Sequence, residues 1–274
     1  MKIVDKKGRV YYIDGYLLSI LEIAKQRINK LGKDIVIILD GMPGSGKSTQ
    51  AACIASYFDE EFSYDQIHFS PESFEKGLLE GRDYAPEVFD EAGTGLRAKD
   101  WQNFMNKRLS IILEMIRYKH KPIIIVIPSV FSLDKDIVLQ RANMLLHCFS
   151  HKTNFFYNYY SKGRLKRIII KGYRDRNYKH SSPYFRGHGF KVFGHLDYKI
   201  YESYKRDKVN QYLKMPLNNK KPDGRLSKIN DFEIETALRL RKEGYTLRDI
   251  GKILNKHHQT IADMLDKGPV SLGK

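Results

Sequence analysis

Gly41-Met42-Pro43-Gly44-Ser45-Gly46-Lys47-Ser48 sets glycines, a lysine and a hydroxyl at the spacing G-x-x-x-x-G-K-S, a pattern whose chemistry is the gripping of phosphate. Its glycines let backbone N–H groups come close to an anion, and a helix that starts at the motif turns its positive end to the same point. Lys47 then bridges the β and γ oxygens, and Ser48 is placed to ligate Mg²⁺. Gly41, Pro43, Gly44, Ser45, Gly46, Lys47, Ser48 and Thr49 are therefore the predicted contacts of a nucleoside triphosphate, with ATP and Mg²⁺ as cofactors. The flanks supply the context the motif needs: a short β-branched run, Ile35 to Leu39, before it, and a helical pattern from Gly46 to about Tyr57 after it.

A second constellation is the acidic pair in Val88-Phe89-Asp90-Glu91-Ala92. At the end of a neighbouring strand the first carboxylate, Asp90, would position Mg²⁺ and its water, and the second, Glu91, would polarise the attacking water as general base. The alternative for Glu91 is a solvated loop residue, because Ala85-Pro86-Glu87 is not cleanly apolar. Ser129, after the run Pro122 to Pro128, stands where a polar residue would sense the γ-phosphate. Arg141 and Arg97 are candidates for a planar cation donated across a subunit boundary, or else ordinary surface arginines.

The elements that must position these groups alternate. Two short strands around Lys7-Gly8 are followed by an amphipathic helix from about Tyr16 to Leu31. After the phosphate loop come a strand at Gln66 to Phe69, a helix opened by Ser70-Pro71, and a strand from Tyr84 to Phe89. A long helix at about Asp100 to Tyr118, a buried strand at Pro122 to Ile127 and another strand at Asn143 to Phe149 complete the alternation. The fold class is α/β, a doubly wound parallel sheet with its ligand at the C-terminal strand edge. Asn154 to Tyr160 and Leu165 to Lys171 then read as a hairpin whose turn, Ser161-Lys162-Gly163-Arg164, is basic.

Charge divides the chain more sharply than its total does. The 274 residues carry a formal net charge of +16, but residues 1–150 are neutral overall, residues 151–219 hold +12 and residues 220–274 hold +4. A block of that kind attracts polyanions, nucleic acid being the usual partner and anionic membrane the less usual one. Lys162, Arg164, Lys166 and Arg167 are the predicted phosphate contacts of the middle block. Its aromatic residues, Phe155 to Tyr160 and later Tyr173, Tyr178, Tyr184, Phe185 and Tyr198, suit base stacking or a half-buried sheet extension. With Cys53 and Cys148 as the two cysteines, no zinc or disulfide framework is implied. No apolar run approaches the roughly 20 residues that span a bilayer, and a cytoplasmic location is expected.

Residues 215–227 are rich in breakers and read as a linker. The resulting division is an N-terminal hairpin and helix at 1–34, an ATPase core at 35–150, a basic aromatic extension at 151–214, and a small all-α module at 228–274. In that module Asp231 to Lys242 is amphipathic, and Thr246 to Leu265 is similar to the helix-turn-helix of resolvase-type and sigma-like DNA readers. The similarity implies that His258, Gln259 and Thr260 open a recognition helix, with Arg248 and Lys252 near phosphates. Gly251, Lys256 and Asp263 depart from the usual pattern, and a protein-interaction bundle is the alternative.

Across residues 35–150 the string from GMPGSGKST through FDEA to IIIVIPS resembles the additional-strand ATPases, the FtsK and HerA DNA-pumping proteins and related viral or plasmid ATPases. The resemblance implies ATP hydrolysis acting on DNA in translocation, packaging, replication or segregation, in homo-oligomers that are usually ring hexamers. GMPGSGKSTQAA also resembles the first loop of nucleoside monophosphate kinases, and an ATP-gated DNA-binding switch without turnover is a further alternative.

Overall fold

The structure, a computed structural model, describes residues 1–90, 109–190, 192–214, 237, 238, 241, 246–253 and 258–267. The chain divides into two compact units, Met1–Met215 and Pro216–Lys274. The first unit opens on an antiparallel pair, β1 (Lys2–Val4) and β2 (Val10–Tyr12), turned at Gly8 with φ 76°. Helix α1 (Gly15–Leu31) follows; the Asp14 side chain caps its first turn and Gly32, in the left-handed region, closes its last.

A seven-stranded sheet runs in the order β4-β5-β6-β3-β7-β8-β9. Its parallel part is β3 (Ile35–Gly41), β4 (Ile67–His68), β5 (Glu87–Asp90), β6 (Pro122–Val126) and β7 (Met144–His151). Along β3 successive residues enter opposite cores. Ile35, Ile37 and Leu39 join the face that holds α1 and α2 (Lys47–Phe58), while Val36 and Ile38 join the face that holds α3 (Pro71–Glu80) and α4 (Ser110–Met115). That two-sided burial explains the unbroken apolar run, since each such side chain contributes on the order of 2 kcal/mol. The expectation of helices on both faces of a mostly parallel sheet is met. The short strand β4 is preceded by a 3₁₀ turn at Tyr64–Gln66, and α3 has Ser70 as N-cap and Pro71 in its first turn, as expected. Of the helix expected at 100–118, the part from Leu109 onward is described; it is α4, continued by a 3₁₀ turn at Ile116–Lys119.

The basic hairpin is not formed. Strand β8 (Asn154–Ser161) pairs antiparallel with the preceding β7, from Met144↔Ser161 to His151↔Asn154, so the turn lies at Lys152-Thr153, with Lys152 at φ 55°. Next come α5 (Lys135–Gln140), which precedes β7, and α6 (Lys162–Gly172), which replaces the expected second strand. Leu165, Ile168, Ile169 and Gly172 are buried along one side of α6 while Lys162, Lys166, Arg167 and Ile170 are exposed, a period of 3.6 residues and not of two. The sheet instead gains β9 (Phe185–His188), antiparallel to β8. Helix α7 (Tyr198–Lys214) ends the first unit.

In the second unit α8 (Leu247–Ile253) and α9 (His258–Lys267) pack through Ala237, Ile250 and Ile261, with Leu238, Leu247 and Leu265 against them. Thr246 Oγ1 accepts from the Asp249 N–H at 3.3 Å and so caps α8 as expected. The linker expected at 215–227 lies outside the described residues.

Candidate functional site: a phosphate loop and its acidic partner

The phosphate loop joins the C-terminal end of β3 to the first turn of α2. Gly41, Gly44 and Gly46 have φ values of 133°, 75° and 81°, all in the region that favours glycine. A Cβ at Gly41 would stand 2.0 Å from the Cys148 carbonyl oxygen of β7, whereas one at Gly44 would meet nothing within 4 Å. The loop is thus wedged against the sheet at its root and open at its crown. The Pro128 carbonyl, just past β6, accepts from the Gly41 N–H at 3.2 Å and fixes that root.

Lys47 Nζ donates to the carbonyls of Gly41 at 2.7 Å and Met42 at 2.8 Å, so its ammonium is folded over the loop. Burial lowers its pKa, while the nearby Cys148, Asp90 and Asp40 act in the opposite direction. The buried Ser45 hydroxyl has no partner, an orphan donor inside a cradle of backbone amides. This geometry fits a phosphate chain.

Asp90 ends β5 and is almost fully buried. Its Oδ2 accepts a hydrogen bond from the Tyr201 hydroxyl of α7, and Lys205 Nζ lies 3.6 Å from the same oxygen. The Ser48 side chain opposes the rise in the Tyr201 pKa, and Lys205 donates to the phenol oxygen at 3.1 Å. The Tyr201 phenol thus acts on both Ser48 and Asp90, two oxygen donors of the kind that suit a hard cation. Burial and the Asp90 charge raise the Tyr201 pKa, which keeps the phenol protonated. Glu91, the expected base, and Arg97 lie outside the described residues.

A second polar cluster sits beside the loop root. Asp40, with no exposed surface, accepts from the Val130 N–H at 2.8 Å, from the Tyr178 hydroxyl, and from His147 Nδ1 at 2.9 Å. Ser129 follows Pro128 at the C-terminal edge, 3.4 Å from the Tyr178 hydroxyl, and its Oγ accepts from the Phe131 N–H at 3.3 Å. The edge thus brings Ser129 near the loop root but engages it with its neighbours.

Arg141 is at the end of the sheet away from the phosphate loop of its own chain. It pairs with Asp34, just before β3, donates to the Leu113 carbonyl at 2.7 Å, and leaves only 12% of its side chain exposed. Seven residues of β3 separate it from Gly41, about 20 Å of strand. Lys162 opens α6 at that same end, and with Arg27, Lys33, Arg117 and Arg141 it lines a cavity of about 710 Å³ whose acidic residue is Asp34. Arg164 lies over the Tyr184 ring at 5.4 Å, while Lys166 and Arg167 are exposed on α6. Of the aromatic run, Tyr157, Tyr159 and Tyr160 are buried in the two cores, which identifies them as sheet extension. In the second unit Arg248, His258 and Gln259 are exposed and Thr260 is half-buried; Lys252 lies on α8 and Asp263 on α9.

Taken together, the first unit is a mixed α/β protein with a phosphate loop at the C-terminal edge of a mostly parallel sheet, followed by a second, helical unit. Residues 225–266 match the family described as "Helix-turn-helix domain". No curated protein matches the chain. Among solved structures, the N-terminal domain of zonular occludens toxin from Neisseria meningitidis is similar over 62% of this chain and 98% of its own, at 15% identity and a TM-score of 0.39. No helix among the described residues is long and apolar enough to cross a membrane.

Proposed function

We propose that the chain is a Mg-ATP-binding and hydrolysing ATPase that acts on DNA. The observation that carries the proposal is the loop itself: three positive-φ glycines, an orphan buried Ser45 hydroxyl and the Lys47 ammonium surround a space open at Gly44. In this reading backbone N–H groups of residues 44–49 and Lys47 hold the phosphates, and Ser48 with Asp90 holds the metal, which would polarise the terminal phosphate when bound. Glu91, next in the chain, is the proposed base. The sheet order supports the resemblance to the additional-strand ATPases, since β6 is inserted between the loop strand β3 and the acidic strand β5.

DNA is the proposed partner because residues 225–266 resemble a helix-turn-helix domain and Arg248, His258 and Gln259 are exposed there. The exposed cations of α6 and the cavity at its start supply a second, sequence-independent attraction for phosphate. Steady-state hydrolysis with and without duplex DNA tests the reading, beside a direct binding titration of Mg-ATP. Lys47→Ala is expected to lose Mg-ATP binding, and unchanged affinity in that variant would refute the site. DNA-stimulated turnover supports a motor; nucleotide-gated DNA binding without turnover supports a switch; phosphorylation of a nucleotide supports the kinase-like alternative.

A further inference from the structure

Tyr201 is placed where the proposed site needs a metal. Its phenol oxygen is engaged from two sides, donating to Asp90 Oδ2 and accepting from Lys205 Nζ at 3.1 Å, and the Ser48 side chain acts on the same phenol. The ring is clamped between Phe69 and Phe193, at centroid distances of 6.1 and 4.3 Å, and 2% of the residue is exposed. Lys205 adds the charge that a neutral phenol lacks. Its ammonium lies 3.6 Å from Asp90, a carboxylate that burial would otherwise leave without a counter-charge. Hydroxyl and ammonium, one turn apart on α7, both reach Asp90 Oδ2.

We infer that Tyr201, backed by Lys205, is a built-in competitor for the Ser48–Asp90 pair, so that α7 must withdraw its hydroxyl before a divalent cation with nucleotide can seat there. The inference rests on the reading of Ser48 and Asp90 as the metal pair and adds the regulation of that site. A bound ligand shifts such an equilibrium by the difference in its affinity for the two states, and here the plugged state has no affinity for the metal. Tyr201 and Lys205 also border an open surface hollow along α7 with Tyr198, Glu202, Arg206 and Val209. Helix α7 runs to Lys214, at the end of the first unit.

The test is a titration of a fluorescent ATP analogue into the full chain, with and without Mg²⁺, for wild type, Tyr201→Phe and Lys47→Ala. Hydrogen exchange of residues 198–214 is followed alongside it. Tyr201→Phe keeps the ring packing and removes the hydroxyl. It is expected to tighten binding about tenfold with Mg²⁺ and to leave Mg²⁺-free binding nearly unchanged. In the wild type, exchange in α7 should rise when Mg²⁺ and nucleotide are added together. Equal affinities for wild type and Tyr201→Phe, with α7 exchange unchanged and binding lost in Lys47→Ala, overturn the inference and leave the site reading intact. Weaker Mg²⁺-dependent binding in Tyr201→Phe also overturns it and makes Tyr201 a positioning residue of the filled site. Failure of every form to bind nucleotide removes the site reading and the inference together.

Discussion

Asp34 and Arg141 form a largely buried charge pair at the end of the sheet away from the phosphate loop, where it is well placed to stabilise the fold. Both side chains are 12% exposed, and Arg141 spends a further donor on the Leu113 carbonyl. Arg141→Ala would leave the Asp34 carboxylate largely buried without its cation, and the expected loss is about 3 kcal/mol. Urea unfolding measures that loss, and Mg-ATP affinity should stay within a factor of two; a stable variant with crippled hydrolysis would restore Arg141 to the active site. Mixing Arg141→Ala with Lys47→Ala subunits should rescue nothing. The phosphate loop was legible in the sequence because its chemistry is written in eight consecutive residues. Tyr201 and Asp90 are 111 residues apart, Tyr178 and Asp40 138, and His147 and Asp40 107. Such partners meet only through the sheet order. Asp90 was legible beside its strand, and Asp40 also left a trace, a carboxylate at the end of an apolar strand directly before Gly41.

Among the elements, the strands with continuous apolar runs were legible and the chain between Ser161 and Lys171 was not. Ile168-Ile169-Ile170 is a β-branched run, and such runs favour strands when nothing else decides. Tertiary packing decided otherwise: β8 had already paired with β7 through a turn at Lys152, a residue that announces no positive φ, and Leu165 lies one helical turn from Ile168 and Ile169. The three isoleucines provide the check. Ile168 and Ile169 are fully buried whereas Ile170 is 62% exposed, while a strand would put Ile168 and Ile170 on one face. Ile168→Ala and Ile169→Ala should each cost about 2 to 5 kcal/mol, and Ile170→Ala within about 0.5 kcal/mol, by chemical denaturation. Equal losses at Ile168 and Ile170 with none at Ile169 would return the segment to a strand.

For the whole molecule, the division at Met215–Pro216 separates the proposed nucleotide site from the proposed DNA reader. A chain ending at Met215 should keep the melting transition of the first unit and its Mg-ATP affinity, and retain salt-dependent DNA binding through α6 while losing sequence preference. Full retention of preference, measured by competition between duplexes, would make the second unit a protein-contact module. The sheet itself has a consequence for how copies of the chain can assemble. Its borders are β4, two residues long, and β9, four residues long. Strand-by-strand continuation from one copy to the next would rest on very few backbone ladder bonds at either border, too short a template for edge-to-edge growth. Any assembly of these chains through this sheet's borders would thus lean on side-chain contacts more than on a shared ladder of backbone bonds.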